Sequence, residues 1–226
     1  MSSGGSGITD EAIDRADNHL APLRGERSEA AQHSFGVRGK LPSLRPQVGW
    51  EAQMDGLRIL FSAAEIAARI DALAVEIARA VPADFVMVGL LKSAAVFVAD
   101  LARALDRAGA CPEIEFMRLS SYGLAKESSG AVQLLGDTPA NLGGRPVLLV
   151  DDIVDTGRSI AYASAQLRRC GVGDLWTCAL LDKPQRREIE VAIDFVGFSI
   201  GNVFVVGYGT DYAEKYRHLP YIGLVE

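Results

Sequence analysis

The sequence predicts an α/β fold in which helices flank a mostly parallel central sheet. Short runs that are apolar on both faces alternate along the chain with segments of helical periodicity, which is the pattern of parallel strands joined by helices. No internal repeat appears. The chain has 226 residues, of which 49% are hydrophobic and 23% are charged, and this composition allows a large buried core.

The first helix has the clearest local signal. Ser62 and Glu65 have the spacing of a capping box, in which each side chain bonds the backbone N–H of the other residue. Apolar residues follow at spacings of four, three and four, which predicts an amphipathic helix that ends before Pro82. These residues are Ile66, Ile70, Leu73 and Ile77.

The same patterns predict the other elements in order. Helices are expected over Ser93–Leu105, which Gly109 ends, and over Ser159–Cys170. The predicted strands are Phe85–Leu91, Ile114–Leu119, Ala131–Leu135, Val147–Asp151, Leu175–Leu181, Phe195–Phe198 and Val203–Gly207. A polar segment, Ser120–Gly130, separates the second and third of these strands and is expected to be flexible.

Two regions of different composition divide the chain. Residues 1–46 combine a Gly/Ser start with three prolines and show no apolar periodicity, so they are expected to form a flexible N-terminal extension. Within it, Glu11–Leu20 is compatible with a short helix. Residues 47–226 are expected to form the folded domain.

Composition and charge disfavour several classes of protein. The formal net charge of −6 argues against a general nucleic-acid binder, which is normally basic. The apolar run Phe85–Leu91 is far shorter than the about 20 residues of a membrane helix, and nothing resembles a cleavable signal. Cys111, Cys170 and Cys178 form no CxxC pair and suit a reducing compartment. We therefore expect a soluble cytoplasmic protein with no nucleic-acid or membrane partner.

One segment, Val147–Ser159, carries the strongest chemical signal. Its apolar start predicts a buried strand, Asp151 and Asp152 stand at the end of that strand, and the following residues enter a helix. Ligands of open α/β sheets bind at the carboxyl ends of the strands. The backbone N–H groups and hydroxyls of Thr156–Ser159 would suit a phosphate monoester, and Gly157 allows a close approach of the backbone.

The two adjacent carboxylates need a reason to lie beside a phosphate. They would repel it unless they bind sugar hydroxyls, a divalent cation or both, and a phosphorylated ribose with Mg²⁺ meets both demands. The alternative is an N-cap aspartate with a solvated neighbour. The apolar strand before the pair and the Asp155–Ser159 run after it favour the ligand-binding interpretation.

These residues resemble a known signature. Val147–Ser159 looks like the phosphoribosyl-pyrophosphate (PRPP) motif of the type I phosphoribosyltransferases, and five further motifs are similar to those of the bacterial hypoxanthine-guanine phosphoribosyltransferases. They are Gly89–Ala94, Ser120–Gly123, Leu181–Glu188, Phe204–Tyr212 and Tyr216–Gly223. The resemblance covers about residues 58–226 and implies the type I phosphoribosyltransferase fold, with a small hood near the C-terminal segment.

The resemblance implies a purine salvage enzyme. Such an enzyme transfers the 5-phosphoribosyl group of PRPP to a 6-oxopurine, hypoxanthine or guanine, and it releases IMP or GMP with pyrophosphate in an Mg²⁺-dependent reaction. The resemblance also implies a cytoplasmic homo-oligomer, a dimer or a tetramer. Two alternatives stay open: a regulatory protein that senses PRPP or a nucleotide on the same fold, and a sister transferase that prefers xanthine.

The resemblance assigns roles along the PRPP motif. It places Asp151 and Asp152 on the ribose hydroxyls and on a metal ion. Asp155 would be the general base that takes the purine N7 proton as N9 attacks. The residues implied to bind the 5-phosphate are Thr156, Gly157, Arg158 and Ser159.

The other motifs supply the remaining ligands under the same resemblance. Purine binding is implied for Lys183, which would donate to the 6-oxo group, and for Phe204, Val205 and Thr210. Pyrophosphate binding is implied for Lys92, Ser93, Arg187 and Arg217. Asp211 would bind a second Mg²⁺, and Ser121 and Tyr122 would belong to a loop that closes over the site.

Three residues depart from the usual pattern of this family. Ser93 stands where Gly is usual, next to a Leu91–Lys92 peptide that is often cis. Asp151 replaces the more common Glu, which shortens the side chain. Thr210 replaces an aliphatic residue near the purine, which leaves the base preference open.

Overall fold

Strands and helices alternate along residues 57–121 and 132–225, which are the residues that the computed structural model describes. The strands are β1 (Leu57–Phe61), β2 (Val86–Leu91), β3 (Glu113–Ser121), β4 (Val132–Leu134), β5 (Val147–Val154), β6 (Leu175–Asp182), β7 (Phe195–Ser199), β8 (Val205–Val206) and β9 (Ile222–Val225). The helices are α1 (Ala63–Ala80), α2 (Ala95–Arg107) and α3 (Arg158–Arg169). The predicted extension over residues 1–46, its boundary at residue 47 and the helix over Glu11–Leu20 lie outside the described residues.

Helix α1 confirms its sequence signal. The Ser62 hydroxyl accepts a hydrogen bond from the Glu65 N–H at 3.3 Å, and the Ser62 N–H donates to the Glu65 carboxylate at 2.9 Å, which completes the capping box. The apolar stripe predicted from the spacing is buried against the sheet. Val81 caps the end of the helix just before Pro82, as expected.

The main sheet has six strands in the order β4-β3-β2-β5-β6-β7, with β5 near its centre. Strands β3, β2, β5, β6 and β7 run parallel, and β4 joins the edge as an antiparallel strand. Helices α1 and α2 pack on one face, and α3 packs on the other. Coverage of both faces explains why β2 and the first four residues of β5 are apolar and buried, and it confirms the α/β fold class.

Strand β5 is longer than its apolar run predicts. The prediction ended at Asp151, but pairing with β6 continues through Val154, which lies opposite Asp182. The predicted end is therefore wrong, because the strand continues past the two charged residues and Ile153 and Val154 still pair with β6. Both carboxylates consequently lie inside the sheet rather than in a loop.

A second sheet of three antiparallel strands has the order β1-β9-β8 and corresponds to the hood expected near the C-terminus. Sequence periodicity did not predict β1 or β9. The predicted strand Val203–Gly207 is shorter in the structure, because only Val205 and Val206 pair with β9. Among the described residues, no helix is long and apolar enough to cross a membrane.

Candidate active site

The candidate site lies where β2 and β5 end and α3 begins. A cavity of about 290 Å³ opens there, at the carboxyl edge of the parallel strands, as expected for an open α/β sheet. The PRPP motif lines most of it, from Asp151 to Ser159, and Ser93 reaches it from the segment after β2. The structure therefore brings the predicted ribose-binding residues and three of the predicted phosphate-binding residues, Thr156, Gly157 and Ser159, into one cavity, whereas the Arg158 side chain does not line it.

Asp151 and Asp152 form a buried carboxylate pair on β5. Their exposed fractions are 6% and 2%. The Asp152 N–H donates to Asp151 Oδ1 at 3.0 Å, and the Ser93 hydroxyl donates to Asp152 Oδ1 at 2.6 Å. Asp152 Oδ2 is buried and has no hydrogen-bond partner among the described residues. The pair therefore has acceptor capacity for a ligand that brings hydroxyl donors or positive charge.

Burial also shifts the protonation of this pair. Burial raises the pKa of Asp151 well above its ordinary value, and the neighbouring Asp152 charge adds to the rise. Burial likewise raises the pKa of Asp152, although the hydrogen bond from Ser93 opposes that rise. Two such groups favour a ligand that compensates their negative charge.

The phosphate loop, Thr156–Ser159, turns the end of β5 into α3. Gly157 has φ +84°, and a Cβ there would lie 2.4 Å from the Ile189 carbonyl oxygen, so only glycine fits. The N-cap residue of α3 is Gly157, which has no side chain to cap the helix, and the first N–H of the helix, that of Arg158, donates to the Thr156 hydroxyl at 3.4 Å. The positive end of the helix therefore lies at the cavity. The Arg158 side chain points instead to Glu188, which it contacts at 2.6 Å.

Asp155 lies between two cations. Its carboxylate is 3.6 Å from Lys183 Nζ and 3.0 Å from Arg186 Nε. Lys183 is 6% exposed at the end of β6, and Asp155 is its only ion-pair partner among the described residues. Arg186 was not among the predicted site residues, although its place within the Leu181–Glu188 motif was the available signal.

Arg187 supports the main chain on both sides of the Asp155 peptide. Its Nη1 donates to the carbonyl oxygens of Val154 at 2.7 Å and of Asp155 at 2.6 Å, and its Nη2 pairs with the Asp182 carboxylate. The side chain is 11% exposed, and its described contacts are with Asp182, Val154 and Asp155. The described contacts make it a clamp on the loop, and its contact with pyrophosphate stays a prediction.

A second cavity of about 220 Å³ adjoins the first and shares Ser93, Asp152 and Asp155 with it. The residues predicted to bind the purine all line this second cavity: Lys183, Phe204, Val205 and Thr210. Phe204 is 50% exposed, and its ring is nearly perpendicular to the Tyr212 ring, with the two ring centroids 5.6 Å apart. An exposed aromatic face at a cavity wall suits stacking with a planar ligand.

Thr210 offers this cavity no free hydroxyl proton. Its Oγ1 donates to the Gly207 carbonyl oxygen at 2.7 Å, inside a tight turn that also pairs the two backbones. The side chain is 7% exposed. Thr210 therefore offers no hydroxyl donor to a ligand in this cavity, whereas the ammonium of Lys183 also lines it.

A charged cluster joins Lys92, Asp211, Glu214 and Arg217. Arg217 contacts Asp211 at 2.8 Å and Glu214 at 3.4 Å, and Lys92 contacts Glu214 at 3.1 Å. The hydrogen bond from Lys92 lowers the pKa of Glu214. Glu214 was not among the predicted residues, and its carboxylate contacts the side chains of Lys92 and Arg217, two residues predicted to bind pyrophosphate. The Leu91–Lys92 peptide beside this cluster is cis, as the resemblance implied.

The carboxylates fit a magnesium ion held jointly with a substrate. The described residues contain no group of three or more His, Cys, Asp or Glu that could hold a metal by themselves. Mg²⁺ is commonly bound through one or two carboxylates together with substrate phosphates, and the unpartnered Asp152 oxygen supplies such a ligand. The Asp211 carboxylate is engaged by Arg217 at 2.8 Å and by the Glu214 N–H at 2.7 Å.

The predicted closing loop is described only at its start. Ser121 ends β3, where it pairs with Val132 of β4. Tyr122 lies outside the described residues. Its place in a closing loop stays a prediction.

Comparisons with known proteins agree with this geometry. Residues 58–213 match the family model described as "Phosphoribosyl transferase domain". A hypoxanthine phosphoribosyltransferase of Escherichia coli (strain K12) is 42% identical over 172 residues, 75% of this chain and 95% of the relative. A hypoxanthine-guanine phosphoribosyltransferase of Bacillus subtilis (strain 168) is 38% identical over 170 residues, 75% of this chain and 93% of the relative.

A solved structure has the same fold. The hypoxanthine phosphoribosyltransferase of Staphylococcus aureus has a TM-score of 0.71 at 34% identity, over 77% of this chain and 95% of its own. The matched regions contain the PRPP motif, the buried carboxylate pair and the lysine at the end of β6. The chain therefore belongs to the hypoxanthine-guanine phosphoribosyltransferases, within the phosphoribosyl transferase family.

Proposed function

We propose that this enzyme of purine salvage transfers the 5-phosphoribosyl group of PRPP to a 6-oxopurine in an Mg²⁺-dependent reaction. Hypoxanthine or guanine would be the base, and IMP or GMP and pyrophosphate would be the products. One observation carries the proposal. The buried carboxylate pair and the phosphate loop lie on one stretch of chain, Asp151–Ser159, in a cavity that adjoins Lys183.

The sugar is the first ligand that this stretch explains. The carboxylates of Asp151 and Asp152 would accept hydrogen bonds from the ribose hydroxyls, and their buried acceptor capacity supports this role. The N-terminus of α3 and the hydroxyls of Thr156 and Ser159 would hold the 5-phosphate. Breaking the C1–O bond leaves positive charge on the sugar, which the buried carboxylates would stabilise.

The base would bind in the second cavity. Lys183 would donate to the purine 6-oxo group, because its ammonium offers donors and no acceptor and therefore rejects a 6-amino group. Phe204 would stack on the ring, the Val205 backbone would bind its edge, and Thr210 would pack beside it. Asp155 would accept the N7 proton as N9 attacks C1, in the role of a general base.

The leaving group would bind at the charged cluster. Arg187, Arg217 and the backbone of Lys92 and Ser93 would hold the pyrophosphate. Mg²⁺, when bound, would neutralise negative charge on the diphosphate, with Asp151 and Asp152 as its ligands and Asp211 as the ligand of a second ion. Ser121 and Tyr122 would belong to the loop that excludes water, because hydrolysis of PRPP is the competing reaction.

The direct test is an activity assay with four bases. The protein would be incubated with PRPP, Mg²⁺ and hypoxanthine, guanine, xanthine or adenine, and both nucleotide and pyrophosphate would be measured. We expect products from hypoxanthine or guanine and none from adenine. A preference for xanthine would identify the sister transferase. PRPP binding without any product would contradict the proposal and favour a PRPP-sensing regulator.

The assembly and location are further predictions. We propose a homo-oligomer, a dimer or a tetramer, on the strength of the family resemblance, and light scattering after size-exclusion chromatography tests it. A cytoplasmic location is supported by Cys111, Cys170 and Cys178, which are all free thiols.

A further inference from the structure

Ser93 lies at the junction of the two cavities of the site. It stands between the end of β2 and the start of α2 and lines both cavities. Its hydroxyl donates to Asp152 Oδ1 at 2.6 Å, across 59 positions of the chain. Its backbone is closely packed from the other side, because a Cβ at Gly209 would lie 2.2 Å from the Ser93 carbonyl oxygen. The position of the Ser93 backbone, from which the hydroxyl extends, is therefore constrained.

This hydrogen bond determines the orientation of the Asp152 carboxylate. A carboxylate can rotate about its last bond with a broad preference, so a free aspartate could direct either oxygen at a ligand. A short hydrogen bond from a hydroxyl to a carboxylate is among the stronger kinds in proteins. With Oδ1 held by Ser93, the second oxygen, Oδ2, is buried without a partner among the described residues.

We propose that Ser93 is a positioning residue for sugar recognition, which holds the Asp152 carboxylate in one orientation at the wall of both cavities, where that carboxylate accepts a ribose hydroxyl. The inference rests on the proposed function, because it takes the ribose-binding role of Asp152 from there. Ser93 was assigned to pyrophosphate through its backbone, whereas this role belongs to its side chain. The hydroxyl also connects the pyrophosphate-binding segment to the ribose-binding strand, so one residue contacts both subsites of PRPP.

Two nucleotides that differ only in their sugar test the inference. IMP carries the 2′- and 3′-hydroxyls, and 2′,3′-dideoxy-IMP lacks them. Their dissociation constants would be measured by calorimetry for the wild type, Ser93→Ala and Ser93→Thr. We expect Ser93→Ala to weaken IMP binding about tenfold and to leave dideoxy-IMP unchanged, because one hydrogen bond to a charged group is lost. Ser93→Thr keeps a hydroxyl and should keep the preference for IMP.

Kinetics and coupling provide a second measurement. Ser93→Ala should raise the KM for PRPP about tenfold, while kcat and the KM for hypoxanthine change less than about threefold. In an Asp152→Asn background, Ser93→Ala should have no further effect on IMP binding. Ser62→Ala is the matched control, because Ser62 also donates to a carboxylate at 2.6 Å but lies at the start of α1. It should leave the ratio between the two nucleotides unchanged.

The outcomes separate this inference from the function on which it rests. Equal weakening of both nucleotides by Ser93→Ala, or an unchanged ratio, would overturn the positioning role in a wild type that makes nucleotide. A wild type that makes no nucleotide would reject the proposed function instead. If Ser93→Ala does not fold, Ser93→Gly and Ser93→Thr make the same comparison, because only the threonine retains a hydroxyl.

Discussion

At the scale of single residues, the site contains buried carboxylates that are only partly hydrogen-bonded by the described residues. Asp151 and Asp152 are buried side by side, and the Ser93 hydroxyl donates to the Asp152 carboxylate. Placing two carboxylates in one buried site costs stability unless a ligand compensates them. The two adjacent buried carboxylates therefore lower the stability of the ligand-free protein.

Replacing Asp151 with Asn should stabilise the ligand-free protein at neutral pH. Burial raises the pKa of Asp151 in the folded state above its unfolded value, so the folded state binds the extra proton. This contribution to stability is complete below the ordinary carboxyl range and is lost as the pH rises through the raised pKa. Asn carries no charge, so thermal unfolding between about pH 5 and pH 8 should show a flatter pH dependence.

The same variant should have a melting temperature about 2–4 °C higher at pH 7.5, if the buried charge costs about 1 kcal/mol. Asp84→Asn is the control, because Asp84 is exposed. It should change neither the melting temperature nor its dependence on pH. Identical pH profiles for the wild type and Asp151→Asn would contradict the assignment of this pH-dependent loss of stability to the buried Asp151 charge.

Replacing Asp155 with Asn should reduce turnover and spare PRPP binding. Asn cannot accept the N7 proton, and loss of a general base commonly costs about 10²–10⁴-fold in rate. Asp155 lies in the loop but is not the carboxylate assigned to the ribose, so the dissociation constant for PRPP should change little. Single-turnover kinetics and calorimetry measure the two quantities. Unchanged turnover would remove Asp155 from the role of base.

At the scale of elements, the turn from β5 into α3 determines whether the phosphate loop forms. The segment after β6 packs against this turn, because the backbone N–H groups of Glu188 and Ile189 donate to the Thr156 carbonyl oxygen at 3.0 and 3.1 Å. Arg187 clamps the same loop from below through two carbonyl oxygens. The loop is thus shaped by a strand end, a helix start and a neighbouring turn together.

Replacing Gly157 with Ala should disrupt this turn. The residue has φ +84°, and a Cβ would lie 2.4 Å from the Ile189 carbonyl oxygen, so conformational strain and a collision add together. We expect destabilisation above about 2 kcal/mol, with weaker binding of 5-phosphorylated ligands such as IMP. Chemical denaturation and calorimetry measure the two effects.

Gly144→Ala separates the two causes. Gly144 has φ +72°, but a Cβ there meets nothing within 4 Å. It should cost only the conformational strain, about 1–2 kcal/mol, and leave IMP binding unchanged. Equal losses at both positions would show that the collision with Ile189 contributes nothing.

At the scale of the whole molecule, the candidate site draws on both sheets. The main sheet supplies the carboxylates and the phosphate loop, and the segment around β8 supplies Phe204, Val205, Thr210 and Asp211. The hood closes through β1, which pairs with β9 from Leu57–Val225 to Phe61–Ile222. The residues assigned to the reaction therefore all follow Leu91 in the chain, but the hood depends on Leu57–Phe61.

Deleting residues 1–46 should leave activity largely intact. The family match begins at residue 58, and every residue assigned to the site lies beyond it. We expect kcat/KM to stay within about twofold of the wild type, in the four-base assay. A deletion through Phe61 is the matched comparison, because it also removes β1 and should destabilise the hood. Loss of activity in the shorter deletion would show that the N-terminal region contributes to the folded enzyme.

Local patterns were sufficient for much of the fold and for the centre of the site. The capping box and spacing of α1 predicted its bounds within a few residues, because both signals act between residues three or four apart. The strand, acidic pair, glycine turn and helix of Val147–Ser159 are contiguous, so their order alone predicted an anion site at a strand end. Such features can be predicted from the sequence because residues close together in the chain determine their geometry.

Only the tertiary structure decided what depends on distant partners. Strands β1 and β9 pair with each other although they lie near opposite ends of the described chain. Neither strand has enough apolar alternation to be predicted from its own sequence. Arg186 and Arg187 lie next to each other, yet one contacts the Asp155 carboxylate and the other contacts its backbone carbonyl. The Ser93–Asp152 hydrogen bond likewise joins positions 59 residues apart. The sequence by itself determined the kind of enzyme, because its motifs are local, whereas long-range packing decided which side chain each charged group contacts.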